Sequence, residues 1–154
     1  ETENVFSIFS VKGSDIHKRL NKYENWKSIL SNTKYLKDFL VKDIQTRVIG
    51  GNSNSSKPLR TTGDTWIAIG DASMAYDPLS SHGITNAIYT AMIASDTIQQ
   101  KLTDNDSNVL DIYEDTINQI FDQYLSSKHQ LYLSENRWSN SPFWKVIAPE
   151  SLLH

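Results

Sequence analysis

The residues best suited to chemistry stand within one short segment, in the order Gly70, Asp71, Pro78, Ser80, Ser81, His82, Gly83 and Ile84. Asp71 closely follows an apolar run, residues 66–69, whose length and β-branched content predict a buried strand. An ionised carboxylate only accepts hydrogen bonds, so its natural partners are hydroxyl groups, such as those of a ribose or ribityl chain. Gly83 lacks a Cβ and allows the backbone to approach a flat ligand. The segment therefore predicts a ligand-binding loop.

A strand and a helix must position this loop. In open α/β sheets, ligands collect at the carboxyl ends of strands, where a following helix directs unpaired N–H groups and partial positive charge at them. After Gly83, apolar and small residues recur at helical spacing and predict a helix that packs against a sheet or another helix. They are Ile84, Ala87, Ile88, Ala91, Ala94, Ile98 and Leu102. The structural alternatives are that Asp71 only caps a turn and that the helix only forms core.

Three groups of residues together resemble a known motif: Gly70-Asp71-Ala72, Asp77-Pro78 and Ser81-His82-Gly83-Ile84. They look like the second FAD-binding motif of the FAD-dependent monooxygenase, halogenase and geranylgeranyl-reductase superfamily, and are most similar to its tryptophan-halogenase-like branch. The resemblance implies that Asp71 hydrogen-bonds the ribityl chain of FAD and that Pro78 lies beside the isoalloxazine ring. It also implies that residues 80–84 place backbone amides near the flavin pyrimidine edge, where a helix N-terminus stabilises negative charge on reduced flavin.

The same resemblance implies a fold of the α/β class, or α+β for a fragment. The chain would be the C-terminal part of a p-hydroxybenzoate-hydroxylase-like FAD/NAD(P)-binding fold, helix-rich with a few strands. Residues 1–60 would hold the end of a substrate-domain sheet with a helical insertion and a return strand. Residues 61–102 would form the second FAD-binding motif, and residues 103–154 a long helix and a tail.

The chain also departs from the superfamily pattern. His82 stands where relatives often carry Gln, Gly or Ser, and Ser73 where many have a second Ala. The GxGxxG fingerprint, the WxWxIP motif and the active-site lysine of true halogenases are missing, and all three lie earlier in the family's chain. We therefore expect a C-terminal portion of a longer flavoprotein that is inactive alone. No catalytic residue is assigned; His82 is a candidate proton shuttle, against an exposed turn histidine as the alternative.

Composition narrows the class of protein. The 154 residues, 38% of them hydrophobic, suffice for one domain-sized core. The net charge of −3, with both signs interspersed, offers no basic surface for nucleic acid or membrane. Without cysteine there is no disulfide or thiolate, and the four histidines are too dispersed for a zinc pair, so no metal is expected. No signal peptide or membrane-spanning run is present, which predicts a soluble, cytoplasmic protein.

The rest of the chain predicts flanking elements. Before the loop we expect a strand at 5–11, a helix from Ser14 to about residue 30, a short helix at 35–41, a strand at 44–49 and an exposed loop at 50–56. After it we expect a helix capped by Asp106 or Ser107 that extends to about residue 137. Its apolar stripe comprises Leu110, Tyr113, Ile117, Ile120, Phe121, Tyr124 and Leu125. In the tail, Phe143 and Trp144 either cover a substrate cavity or pin the tail to the core.

The prediction from these observations is the C-terminal fragment of an FAD-dependent oxidoreductase, of the monooxygenase or halogenase-like type. Its partners would be a small-molecule or peptide substrate and a flavin reductase. A hydrolase triad from Asp77, Ser80 and His82 is disfavoured, because such close neighbours in sequence rarely converge on one reacting atom. The alternative is a free-standing helical protein-interaction domain without flavin activity. The two differ at residues 66–69, which only the flavoprotein needs paired in a sheet.

Overall fold

The computed structural model of the protein describes residues 6–20, 22–40, 48–104 and 108–147. The chain divides into two compact units. The first unit combines Glu1–Gly51 with Asn136–His154, and the second is the continuous segment Asn52–Glu135. The second unit contains the whole predicted ligand segment, 66–102, so the candidate site belongs to one body.

In the second unit, two long helices pack against each other and against a small hairpin. The hairpin pairs β1, Thr62–Gly63, with β2, Trp66–Ile67, in antiparallel register. The helices are α3, Gly83–Asp104, and α4, Val109–Ser134. The described residues are therefore helix-rich with one two-stranded sheet, as an α/β fragment would be. The expected strand at 66–69 is shorter than predicted, although Ala68 still donates its N–H to the Thr61 carbonyl at 2.8 Å.

The core of this unit lies between the helices and the loop that follows β2. Its buried members are Met74, Ala94, Tyr113, Ile117 and Phe121. Three of them come from the apolar stripe predicted for α4, so that prediction is confirmed, although Leu125 at its end is 40% exposed. Burial raises the pKa of Tyr113 to about 12, and its hydroxyl donates to the Ala68 carbonyl at 2.7 Å. The core thus fastens α4 to the strand that precedes the candidate site.

The predicted helix α3 does pack against α4 and the Gly70 turn, through Ala94 and Ala87, but most of the large apolar residues predicted for its packed face are exposed. Of the seven residues expected to be buried, Ala94 alone is buried, while Ile84, Ile88 and Leu102 are 80%, 60% and 80% exposed. The buried face is polar instead and comprises Asn86, Thr90, Ala94 and Thr97. The hydroxyl groups of Thr90 and Thr97 have hydrogen-bond partners within the helix, because each donates to the carbonyl four residues earlier, at 2.8 and 2.9 Å. Their methyl groups are then free to pack.

The first unit holds α1, Asp15–Arg19, α2, Tyr23–Ser31, the 3₁₀ helix Lys37–Phe39 and α5, Pro142–Ile147. Ser14 caps α1 as predicted, accepting from the His17 N–H at 3.2 Å. The single predicted helix is nevertheless two helices. Lys22 is extended, and the Asn25 amide donates to the Arg19 carbonyl at 3.1 Å, which satisfies a carbonyl released where α1 ends.

Other predictions for the flanking elements need correction. Residues 6–11 form no strand; the Phe6 ring instead packs edge-on against Trp26, with centroids 6.2 Å apart. Within 35–40 the one regular element is the 3₁₀ helix, and α4 ends at Ser134 rather than near 137. Most of the strand predicted at 44–49 and both predicted caps of α4 lie outside the described residues. No helix in the described ranges combines the length and apolar character needed to cross a membrane.

Candidate functional site

The turn after β2 is shaped by Gly70. It begins the 3₁₀ helix Gly70–Ala72 with φ +57°, a region that favours glycine. A Cβ at this position would lie 3.3 Å from the Ala87 Cβ, because the turn packs directly on α3. The buried Gly70 N–H donates to Thr90 Oγ1 at 2.8 Å. The positive φ and the close approach to Ala87 therefore both favour glycine here, and the hydrogen bond to Thr90 fixes the turn on α3.

Asp71 stands on the outer side of this turn. The residue is exposed, whereas Gly70 before it and Ser73 after it are buried. Ser73 donates its hydroxyl to the Gly70 carbonyl at 2.8 Å, which closes the turn. The sequence prediction placed Asp71 at the end of a strand; it lies instead within the 3₁₀ turn that follows β2. A rigid turn thus presents an exposed carboxylate, the group that accepts hydrogen bonds from ligand hydroxyls.

Asp77 starts the next part of the loop and is almost buried, at 8% exposure. It caps the 3₁₀ helix Pro78–Ser80, and its Oδ1 accepts from the Ser80 N–H at 3.1 Å. Pro78 suits the first helical position because its fixed φ matches the helix and no N–H is lost. The Asp77 side chain therefore fixes how the chain enters the segment that carries Pro78 and Ser80.

Three side chains of α4 meet the other oxygen of Asp77. Its Oδ2 lies 3.2 Å from Lys128 Nζ, 3.1 Å from the Tyr132 hydroxyl and 3.2 Å from the Tyr124 hydroxyl. In the sequence, Asp77 stands out only in the Asp77-Pro78 motif and in the disfavoured hydrolase triad, and α4 stands out only by its apolar stripe. The spacing of four between Tyr124, Lys128 and Tyr132 was the available signal, because it places polar groups on one helical face.

These contacts determine the ionisation of the cluster. Burial opposes the charge of Asp77, but hydrogen bonds from Lys128, Tyr132 and Ser80, with the charge of Lys128, outweigh it and lower the Asp77 pKa. Burial and the neighbouring Asp77 carboxylate raise the pKa of Tyr132 above its usual range. At neutral pH the site therefore holds an ionised carboxylate, with a neutral tyrosine donating to it.

The loop before β1 joins the same cluster. Ser55 Oγ lies 2.7 Å from the Tyr124 hydroxyl and accepts from Lys128 Nζ at 2.9 Å. Ser56 forms an antiparallel bridge with Ala75, with N–H to carbonyl distances of 3.0 and 2.8 Å. The exposed loop predicted at 50–56 is therefore exposed through residue 54, but its end is fastened to the site. Such a long-range contact is not visible in a Gly/Ser/Asn-rich sequence.

The last part of the predicted segment leads into α3. Ser80 is half-buried and donates its hydroxyl to the Asp77 carbonyl at 2.8 Å, and Ser81 adopts the left-handed conformation with φ 55°. His82 is exposed, with its ring Nδ1 against the Ser80 carbonyl. Gly83 and Ile84 are exposed and open the helix. Apart from its chain neighbours and the adjacent backbone of α3, no atom of the described residues lies within 4 Å of the position that a Cβ on Gly83 would occupy, so packing there does not require glycine.

The structure gathers these parts around the start of α3. Gly70 packs on Ala87, which lies one turn after the start of α3. The turn that carries Asp71 is therefore close to the N-terminus of α3, and residues 80–84 lead into the same N-terminus. An exposed acceptor, a glycine with open space and a helix N-terminus suit a flat, hydroxyl-bearing anion. Within the described ranges, no three His, Asp or Glu side chains are close enough together to hold a metal ion.

Comparison with known proteins gives one informative match. The chain is 31% identical over 130 residues to a protein of Marinomonas mediterranea named "Putative FAD-dependent oxidoreductase LodB". The match covers 82% of this chain and 34% of the relative, so the chain spans about a third of the relative's length. No model of a protein family matches, and no solved structure matches. The coarse prediction of similarity to FAD-dependent oxidoreductases is supported.

Proposed function

We propose that this chain is a C-terminal FAD-binding portion of an FAD-dependent oxidoreductase. The observation that carries the proposal is the turn at Gly70, which is held rigidly on α3 while Asp71 remains exposed. The relative's name agrees with it, since that protein is called FAD-dependent. The pairing of Trp66–Ile67 in a sheet also favours this function over a free-standing helical interaction domain, which has no need of a strand there.

Each part of the segment then has a defined task. Asp71 accepts hydrogen bonds from ribityl hydroxyls, and Pro78 lies beside the isoalloxazine ring. Residues 80–84 lead to the pyrimidine edge; because the Ser80 N–H is held by Asp77, the amides that would face this edge come after Ser80, where the N-terminus of α3 adds partial positive charge. Gly83 leaves space for the ring. FAD, when bound, supplies the redox chemistry, and the chain supplies binding, orientation and electrostatics.

The exposed face of α3 fits the same proposal. Apolar side chains cover it from end to end: Ile84, Ile88, Met92, Ile98 and Leu102, each at least 42% exposed. Exposed apolar surface of this extent marks a contact site. Because the relative is about three times as long as the stretch it shares with this chain, we assign this face to contact with the other part of the flavoprotein. This contact would complete the FAD site.

For the reaction we propose monooxygenation or a halogenase-like oxidation of a small molecule or peptide, with a flavin reductase as the electron donor. The support is the resemblance of segment 70–84 to that branch of flavoproteins. His82, exposed at the helix start, is the candidate proton carrier, because its imidazole ring has two nitrogens that can donate or accept a proton.

The test is the flavin content of the flavoprotein that contains this chain, with the 154-residue chain titrated with FAD in parallel. We expect a yellow flavoprotein and a chain that binds FAD weakly or not at all. In the flavoprotein, Asp71→Ala should weaken FAD binding by about 1.5–3 kcal/mol for each hydrogen bond lost to the charged carboxylate. If the protein that contains this chain is colourless, or if Asp71→Ala binds FAD as tightly as the wild type, the interaction domain is favoured instead.

A further inference from the structure

A polar network joins the C-terminal half of α4 to the loop that begins at Asp77. Asp77 receives hydrogen bonds from Lys128, Tyr132 and Tyr124, and it returns one through its own N–H to the Tyr124 oxygen at 2.9 Å. The Ser55 and Tyr124 hydroxyl oxygens lie 2.7 Å apart, with either group able to donate, and Ser55 also accepts from Lys128. Ser55, Tyr124, Lys128 and Asp77 are therefore joined in one network.

The network lies beyond the part of α4 that forms the core. The buried apolar residues of the helix are Val109, Tyr113, Ile117 and Phe121, all in its first half. From Tyr124 onward, the described contacts of α4 with the loop are polar, apart from ring contacts such as the Tyr76 stack at 3.9 Å. An ion pair with side chains only 9% and 24% exposed contributes little net stability, because desolvation offsets its attraction, but it strongly restricts geometry.

We infer that Lys128, Tyr132 and Tyr124 are positioning residues for the loop at 77–84, and that α4 thereby sets where this loop meets its ligand. The inference rests on the proposed function, since that function makes the ligand FAD. Its physical basis is that the two carboxylate oxygens of Asp77 bind different elements. Oδ1 caps the helix Pro78–Ser80, and Oδ2 accepts hydrogen bonds from α4. A displacement of Lys128 or Tyr132 therefore moves the start of the loop.

The experiment uses the flavoprotein that contains this chain. Lys128→Met removes the charge at similar length, Tyr132→Phe removes one hydroxyl, and Lys128→Arg keeps the charge as a rescue variant. Controls are Lys27→Met and Tyr35→Phe, since both residues are exposed and belong to the other unit. The readouts are FAD affinity, visible circular dichroism of the bound flavin, hydrogen exchange of the 79–84 amides in the FAD-free form, and thermal unfolding.

We expect Lys128→Met to weaken FAD binding about tenfold, the equivalent of one displaced hydrogen bond, and to alter the dichroism of the bound flavin. Amide exchange at Ser80 and Ser81 should accelerate, and Lys128→Arg should restore most of the affinity. Tyr132→Phe, nearly identical in shape, should show a smaller change of the same kind. If Lys128→Met does not fold, Tyr132→Phe is the variant that tests the inference.

Two outcomes separate the network from the proposed function. If Asp71→Ala weakens FAD binding but Lys128→Met and Tyr132→Phe lower only the unfolding temperature, with affinity and dichroism unchanged, the network is purely structural and the inference is overturned. If all three variants leave FAD affinity unchanged, the proposed function itself fails, and the flavin role of the network fails with it.

Discussion

The Gly70 N–H and Thr90 Oγ1 form a buried 2.8 Å hydrogen bond that fixes the candidate site to α3. Thr90 is fully buried, and its hydroxyl donates a hydrogen bond to the Asn86 carbonyl at 2.8 Å. The hydroxyl is therefore acceptor and donor at once. A threonine in a helix interior, unremarkable in the sequence, thus holds the turn that presents Asp71.

We predict that Thr90→Val destabilises the chain by about 1–3 kcal/mol, because the shape is kept while the buried Gly70 N–H loses its partner. Urea unfolding followed by circular dichroism measures this free energy. The matched control is Thr116→Val on α4, where the hydroxyl makes the same intrahelical bond, to Ile112 at 2.8 Å, but lies exposed. Equal effects in the two variants would contradict the assigned role of Thr90.

The contrast between α3 and α4 explains what could be predicted from the sequence. Tyr113, Ile117 and Phe121 were predictable because apolar side chains at helical spacing are nearly always packed within their own unit. The same argument failed for Ile84 and Ile88, because apolar residues on α3 face away from this unit's core. Periodicity identifies an apolar face but not the body that covers it.

The candidate site divides in a similar way. Residues 70–84 could be selected as a candidate site because they form one continuous segment with glycines, a proline and a carboxylate in a recognisable order. The partners of Asp77 could not, since Tyr124 and Tyr132 lie 47 and 55 residues further along the chain. Only the packing of α4 over the loop brings these hydroxyls to the carboxylate.

Gly83 offers a test that separates folding from ligand binding. Its surroundings are open and it begins α3, so we expect Gly83→Ala to raise the free energy of unfolding by at most about 1 kcal/mol. In the flavoprotein the same methyl group would occupy space assigned to the isoalloxazine ring, and FAD affinity should fall about tenfold. Gly50→Ala, also in open space, is the control and should leave FAD affinity unchanged. FAD titration that gives equal affinities for Gly83→Ala and the wild type would place the ring elsewhere.

Acid should destabilise the second unit through two carboxylates. Hydrogen bonds from the Thr61 N–H and the Thr62 hydroxyl, with the charge of Arg60, lower the pKa of Glu114 despite partial burial, and the network lowers that of Asp77. A carboxyl whose folded pKa lies below its unfolded value, about 4, binds more protons when unfolded. Stability is therefore full above about pH 5 and declines as the pH falls through the folded pKa values.

The measurement is the urea midpoint as a function of pH. Wild type should lose stability below about pH 4, and Glu114→Gln should show a shallower decline because one of the linked protons is gone. A Glu114→Gln curve parallel to wild type would exclude Glu114 as a linked group.

The apolar face of α3 allows a test that separates this chain alone from the longer flavoprotein proposed above. Ile88 is 60% exposed, so Ile88→Asp should change the stability of the chain by less than about 0.5 kcal/mol. If the face contacts the rest of the flavoprotein, the same substitution buries a charge there and should lower both FAD content and the unfolding temperature of the flavoprotein. Ile117→Ala, in the core, should cost about 2–5 kcal/mol in either context. If Ile88→Asp changes neither the FAD content nor the unfolding temperature of the flavoprotein, this face of α3 is exposed to solvent and makes no contact with the rest of the protein.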